Sequence, residues 1–441
     1  MLRPLLRVLL SALGVATVAT VARAERVERD PNQVTGVERA DRQPGDAART
    51  VATGVLLLPR AAVELVFLAT GSAASLIEEE QVVPRVHELL HPPKGEIHAF
   101  PTLFAETGSG FNVGARAIAR ADNLGATVRA GVGGAHDLVA ESKLRLSFPK
   151  PLPFSLSLEA FHDERSSLGF LGVGQDPESD TRNQFLAGAP SRAATYRERR
   201  GRFIASAGTR VLSDVELLAS SSIARRHVLD PPDDGDTLSE VFVAGSVPGA
   251  GAVTHIVYSE VALRVDTRAA RGTPASGVLL EGYLGQASGV LNTDTRFIRT
   301  GGRAGLFLPL IESSNILSPR IALDGLSDLD SSVPFNELVR QPDFRGYDNR
   351  RDRVSMVASV DYRWAIARYL AARLFVDAAT VAPELDALEL DNVRPAAGFG
   401  FDVFSRSSQL GSVRATFSPD GFLFSFGFGV SSGFGDRQHR N

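Results

Sequence analysis

The ionisable side chains of this chain are spaced for pairing rather than for bond-making. His87 and His91 stand four apart, the spacing of one helical face, and read as surface residues rather than a metal pair. Asp230, Asp233, Asp234 and Asp236 crowd one stretch without EF-hand spacing, so they read as a solvated acidic loop. No Gly-x-Ser-x-Gly elbow, His-Glu-x-x-His pair, P-loop or dinucleotide fingerprint occurs, and Gly131-Val132-Gly133-Gly134 reads as a turn at a strand end. The reading is therefore not an enzyme, with no cofactor, no metal and no catalytic residue. The charges that remain lie in alternating text. Val354, Met356, Ala358, Val360, Tyr362 and Trp364 share one face of a strand, and Ser355, Ser359, Asp361 and Arg363 share the other. In the next strand Leu374, Val376 and Ala378 alternate with Arg373, Phe375 and Asp377. In a soluble sandwich the charged face would meet water. In a membrane barrel the apolar face meets lipid and the charges enter the lumen.

The elements that would hold these residues repeat along the chain. Strands are expected at 97–105, 110–121, 126–135, 138–148, 153–162, 194–212, 214–226 and 255–267, then at 277–287, 294–309, 316–325, 352–364, 369–380, 394–404, 411–418 and 421–430. That is an even set of sixteen, as bacterial barrels require. The long gaps, 163–193, 227–254, 326–351 and 381–393, all follow odd-numbered strands, which puts them on one side of a membrane. In the eighth strand Tyr258, Glu260, Arg264 and Asp266 oppose Val257, Val261, Leu263 and Val265; in the fourth, Glu141, Lys143 and Arg145 oppose Ser142, Leu144 and Leu146. Inward charges recur, which predicts a wet or loop-filled lumen.

Composition agrees. Mean hydropathy is near zero, which excludes a helical membrane protein but not a barrel, whose lumen residues offset its lipid face. Residues 1–24 read as a signal peptide with Ala22-Arg23-Ala24 at its end; removing its three arginines takes the net charge from -4 to -7. No basic stripe suggests nucleic acid. There is no cysteine, so stability must come from the sheet. Residues 25–45 are charged and aperiodic, and 46–90 read as short amphipathic helices on the periplasmic side, broken by Pro59 and Gly71-Ser72.

Three pieces in order carry a resemblance: Phe344-Arg345-Gly346-Tyr347 on a long loop, the strand Asp361-Tyr362-Arg363, and Phe375-Val376-Asp377-Ala378-Ala379. Together they resemble the BamA/TamA superfamily of sixteen-stranded outer-membrane barrels. The strand text Pro101-Thr102-Leu103-Phe104 before Thr107-Gly108, and the hairpin text with Asp266, Arg268, Pro274 and Gly277, are similar to the same superfamily. The resemblance implies a loop folded into the lumen, with Arg345 docked on a wall made of Phe375, Asp377, Asp361 and Arg363. Ala379 stands where the superfamily has glycine. Its POTRA domains are also missing, since residues 25–94 show no paired strands.

In the last strand Phe422, Phe424, Phe426 and Phe428 share one face, and Gly421, Phe424 and Phe426 resemble the signal by which barrels are recognised for insertion. Its glycines could loosen closure against residues 97–105. The expectation is an all-β, sixteen-stranded antiparallel transmembrane barrel over 95–430, with a short helical periplasmic segment before it and a tail at 431–441. Its implied place is the outer membrane of a Gram-negative bacterium. Its implied partners are outer-membrane lipids, the barrel-assembly machinery for its own insertion, and a client protein or lipid that it helps to insert or translocate. The alternative is a passive pore or structural surface antigen that keeps the motifs only to fold.

Overall fold

In the computed structural model the described residues are 93–428 without 107–109, 149–152, 190–191, 233–235, 269–275, 311–314, 330–332, 368, 390–391 and 405–408, together with Leu56, Leu57 and Arg60. The signal-peptide reading, the aperiodic stretch, His87, His91 and residues 431–441 lie outside them, as does nearly all of the 46–90 segment.

Sixteen antiparallel strands form one closed barrel in which each strand neighbours the next and β1 meets β16. They are β1 (Ile97–Glu106), β2 (Gly110–Arg120), β3 (Leu124–Gly133), β4 (His136–Phe148), β5 (Phe154–Phe170), β6 (Ala194–Leu212), β7 (Val215–Leu229) and β8 (Val253–Asp266), followed by β9 (Gly277–Gly289), β10 (Arg296–Pro309), β11 (Ile316–Asp328), β12 (Val354–Ala367), β13 (Leu370–Ala382), β14 (Arg394–Phe404), β15 (Gln409–Ser418) and β16 (Gly421–Phe428). The largest departure from expectation is β5, which runs on to Phe170 through His162-Asp163-Glu164-Arg165. Charged residues at every position hid its period. They are tolerated because Asp163 faces inward to Arg165 and Arg200 while Glu164 faces outward to Arg199. Where a turn is expected around residues 365–367, β12 runs on instead and Ala367 pairs with Leu370. At the end of β3 the chain reverses through Gly133 and Gly134, both at positive φ, where a side chain would be strained.

The long connections, 171–193, 230–252, 329–353 and 383–393, cluster at one rim, here the loop rim; the opposite ends form the turn rim. Along every wall the period-two pattern separates the faces. Val360, Val376, Val261 and Leu263 point outward and are exposed, whereas Asp361, Asp377, Glu260 and Arg264 point inward and are buried. Near the turn rim two outward rings break this pattern. Tyr362 and Trp364, stacked with centroids 5.1 Å apart, are buried with Leu310 and Ala372 in a cluster that also receives Leu56, which lies in a helical turn of the chain. Leu56 thus rests on the outside of the barrel wall.

Candidate functional site

The connection between β11 and β12 turns back into the barrel. Its short 3₁₀ turn, Phe335–Glu337, is buried end to end. Phe335 packs on Phe170 and Tyr196 at ring distances of 4.8 and 5.0 Å, inside an aromatic cap completed by a short helix, α1 (Leu238–Val241), and Phe242. Beside it the Glu337 carboxylate meets Arg226 Nε at 2.9 Å and Arg299 Nη2 at 3.5 Å, and Asn336 Nδ2 donates to Glu198 at 3.0 Å. Further on, Arg303 Nε donates to Asp343 at 2.8 Å.

Two residues later comes Arg345. Its backbone N–H and Nε donate to one Asp377 oxygen at 3.0 and 2.8 Å, and Nη2 donates to the other. Nη1 donates to Asp361 at 2.5 Å, and the guanidinium lies 3.8 Å above the Phe375 ring centroid. Asp361 also pairs with Arg320. The Arg345, Asp361 and Asp377 side chains are only 8, 7 and 0 % exposed. Register explains the meeting. Asp361 and Phe375 are Cα partners across β12 and β13, and Asp377 sits one inward position further along. A planar cation with several donors suits this site, since it can donate to two carboxylates at its edges while its face lies on a ring.

The small residues around this point set how closely the loop approaches. Phe344 is buried with Ala322, Val357, Ala379 and Ala396, so the Ala379 methyl fills the cluster where the resemblance expects glycine. The close approach is made one strand away, at Gly398. A Cβ there would stand 2.5 Å from the Phe375 ring and 2.3 Å from the Ala415 carbonyl oxygen. Gly398→Ala is therefore expected to push Phe375 off its seat and lower stability by about 1–3 kcal/mol. A lower urea midpoint for the heat-resistant species on cold gels checks this; an unchanged midpoint would show that the ring can move freely.

Tyr347 reaches the last strand. Its hydroxyl donates to the Phe422 carbonyl at 3.1 Å, and its ring lies 3.7 Å from where a Gly421 Cβ would be. Gly421 has φ +127°, a conformation that disfavours a side chain. The other expected residues are not brought here. Arg363 is a wall residue, but its Nε faces Asp402 at 3.3 Å beside Arg373 and not the loop, because it points inward closer to the turn rim. Phe424 lies outward and exposed, and Phe426 pairs with Ala105. β1 and β16 pair over Leu103–Glu106 among the described residues, whereas β1 and β2 pair from Ile97 to Glu106.

Four anchors of the loop escaped the sequence reading: Arg320, Glu337, the Asp343–Arg303 pair, and Asp352. Inward parity along β10 and β11 would have marked Arg303 and Arg320 as lumen cations, since both share a face with Asp324. Asp352 had no local signal. It receives Nη1 and Nη2 of Arg182, at 2.9 and 2.6 Å, from the connection between β5 and β6. Arg182 also holds Asp180: burial pushes that carboxyl up, but the hydrogen bonds and charge of Arg182 outweigh it and keep its pKa below the usual 3.8. A depressed carboxyl stabilises the folded state above its unfolded value, and the contribution is lost as pH falls below 3.8. Faster protease cleavage within 171–193 at pH 3 than at pH 6, abolished by Asp180→Asn, is the expected result.

No protein-family model matches the chain, and no curated protein matches it in sequence. Solved structures do match it. The crystal structure of BamA from Haemophilus ducreyi lacking POTRA domains 1–3 superposes over 75 % of this chain and 70 % of that one, at TM-score 0.51 and 12 % identity. The fold is that of the BamA barrel. CdiB from Acinetobacter baumannii covers 75 % of this chain and 59 % of that one at 11 % identity, with a TM-score of 0.44, too low to build on. At such identity the likeness is one of architecture.

Proposed function

We propose that the protein is an outer-membrane barrel of the BamA/TamA kind that assists insertion or translocation of a protein or lipid, with the loop from residue 329 to 353 as its lumen lock. The observation that carries this reading is Arg345 held in the lumen between Asp361 and Asp377. A loop needed only as an exterior surface would gain nothing from burying a guanidinium and two carboxylates, each of which costs several kcal/mol to desolvate before it is paired. The outward apolar belt of Val261, Leu263, Val360 and Val376 suits lipid, and the partners in this reading are outer-membrane lipids, the assembly machinery that inserts the barrel, and the client. Below the loop, a cavity of about 500 Å³ lined by Lys143, Arg145, Glu159, Arg210, Glu216 and Arg264 faces the turn rim. Tyr347 ties the loop to the strand that closes the barrel, and the β1–β16 seam is the place where such a barrel could part sideways.

A passive pore or structural surface protein is the competing reading. Planar-bilayer recording of the refolded chain, with and without residues 25–94, separates them. A barrel that stays closed in both forms supports the loop as the lumen lock, whereas one that opens on truncation would place the seal in residues 25–94 instead. A steady open pore in both forms overturns the lock.

A further inference from the structure

The outward face changes character abruptly at one place on the wall. Along β6 it reads Ala207, Ala205, Phe203, Gly201, Arg199, Arg197, and along β7 it reads Leu217, Ala219, Ser221, Ile223, Arg225, His227. Phe203 and Ile223 are Cα partners and are 48 and 45 % exposed, so the apolar belt reaches them. Immediately toward the loop rim Gly201 partners Arg225 and Arg199 partners His227. Arg199 and Arg225 therefore lie diagonally across the strand pair, within reach of one small anion. Glu164 on β5 accepts from Arg199 Nε at 2.7 Å and from Arg197. Arg225 is exposed and has no acidic partner among the described residues.

We infer that this patch binds the phosphate of an anionic lipid headgroup in the leaflet nearer the loop rim. Charge complementarity and level both point to that occupant. The three arginines exceed the one glutamate, and they begin within two residues of the last apolar pair, where headgroups follow acyl chains. The ligand is a phosphorylated lipid: its chains lie along Phe203 and Ile223 while its phosphate takes Arg225 and the free donors of Arg199. The inference is independent of the lock reading, since it concerns the outside of the wall.

The test is native mass spectrometry of the full mature chain in neutral maltoside micelles, titrated with diphosphoryl lipid A. Arg225→Glu is expected to weaken retention of the lipid by about tenfold or more, because it removes one charge and adds its opposite at the surface. Arg120→Glu, at the turn rim, is expected to leave retention unchanged. Inorganic phosphate at equal concentration should compete poorly, since it lacks the chains that Phe203 and Ile223 hold. Wild-type retention by Arg225→Glu overturns the site, provided that variant still shows a heat-resistant barrel. Should it not fold, Arg225→Gln takes its place with a smaller expected loss. Full competition by inorganic phosphate would also overturn the lipid assignment.

Discussion

Arg345→Ala is expected to destabilise the folded barrel by about 3–5 kcal/mol, because it removes one member of a buried ionic cluster and leaves the rest. The loss is not shared equally. Asp361 keeps Arg320, but the buried Asp377 loses both hydrogen bonds to its carboxylate from the guanidinium. A stranded buried carboxylate is the costly part, so neutralising it should recover stability. The double variant Arg345→Ala/Asp377→Asn is expected to unfold nearer to wild type than the single variant does, a coupling that a double-mutant cycle isolates. The readout is the urea midpoint of the heat-resistant band. Equal midpoints for Arg345→Ala and wild type would mean that the cluster contributes nothing net, as some buried ion pairs do.

The second large effect concerns permeation. Replacing Val333–Asp352 with a short glycine-serine linker is expected to raise single-channel conductance several-fold. The strand ends it must join, Asp328 and Val354, belong to neighbouring antiparallel strands, so a short linker can span them. Removing the segment takes Phe335, Glu337, Asp343 and Arg345 out of the lumen together. The wall charges they leave, Arg226, Arg299, Arg303, Asp361 and Asp377, are then solvated by the water that enters. The barrel should therefore survive the deletion better than it survives Arg345→Ala, in which the rest of the loop still keeps water from Asp377. Unchanged conductance would show that the lumen is closed elsewhere.

Much of the barrel follows from period alone. Alternation placed all sixteen strands, fifteen of them to within about three residues at each end, and placed Asp361, Asp377, Glu260 and Arg264 inward, because the two faces of a strand meet media of opposite polarity. Loop parity gave the common rim for the same topological reason. Strand ends blurred where both faces carry charge, as in Asp163-Glu164-Arg165 of β5, since beyond the apolar belt neither face is selected for apolarity.

The Arg345 contact was legible only through its motif. Resemblance to a known order of motifs suggested Arg345 against Asp377. Nothing local in the sequence says that Glu337 meets Arg226 and Arg299, that Asp352 meets Arg182, or that Leu56 packs against the cluster of Leu310, Tyr362, Trp364 and Ala372. Those pairings join residues on different strands or connections, and their distances are decided by barrel closure and register. The sequence by itself determined which face each wall residue takes, because that depends on parity between neighbours. Only the tertiary structure decided which charge meets which, because a lumen surrounds the loop with many candidate partners, and the fold of the loop selects among them.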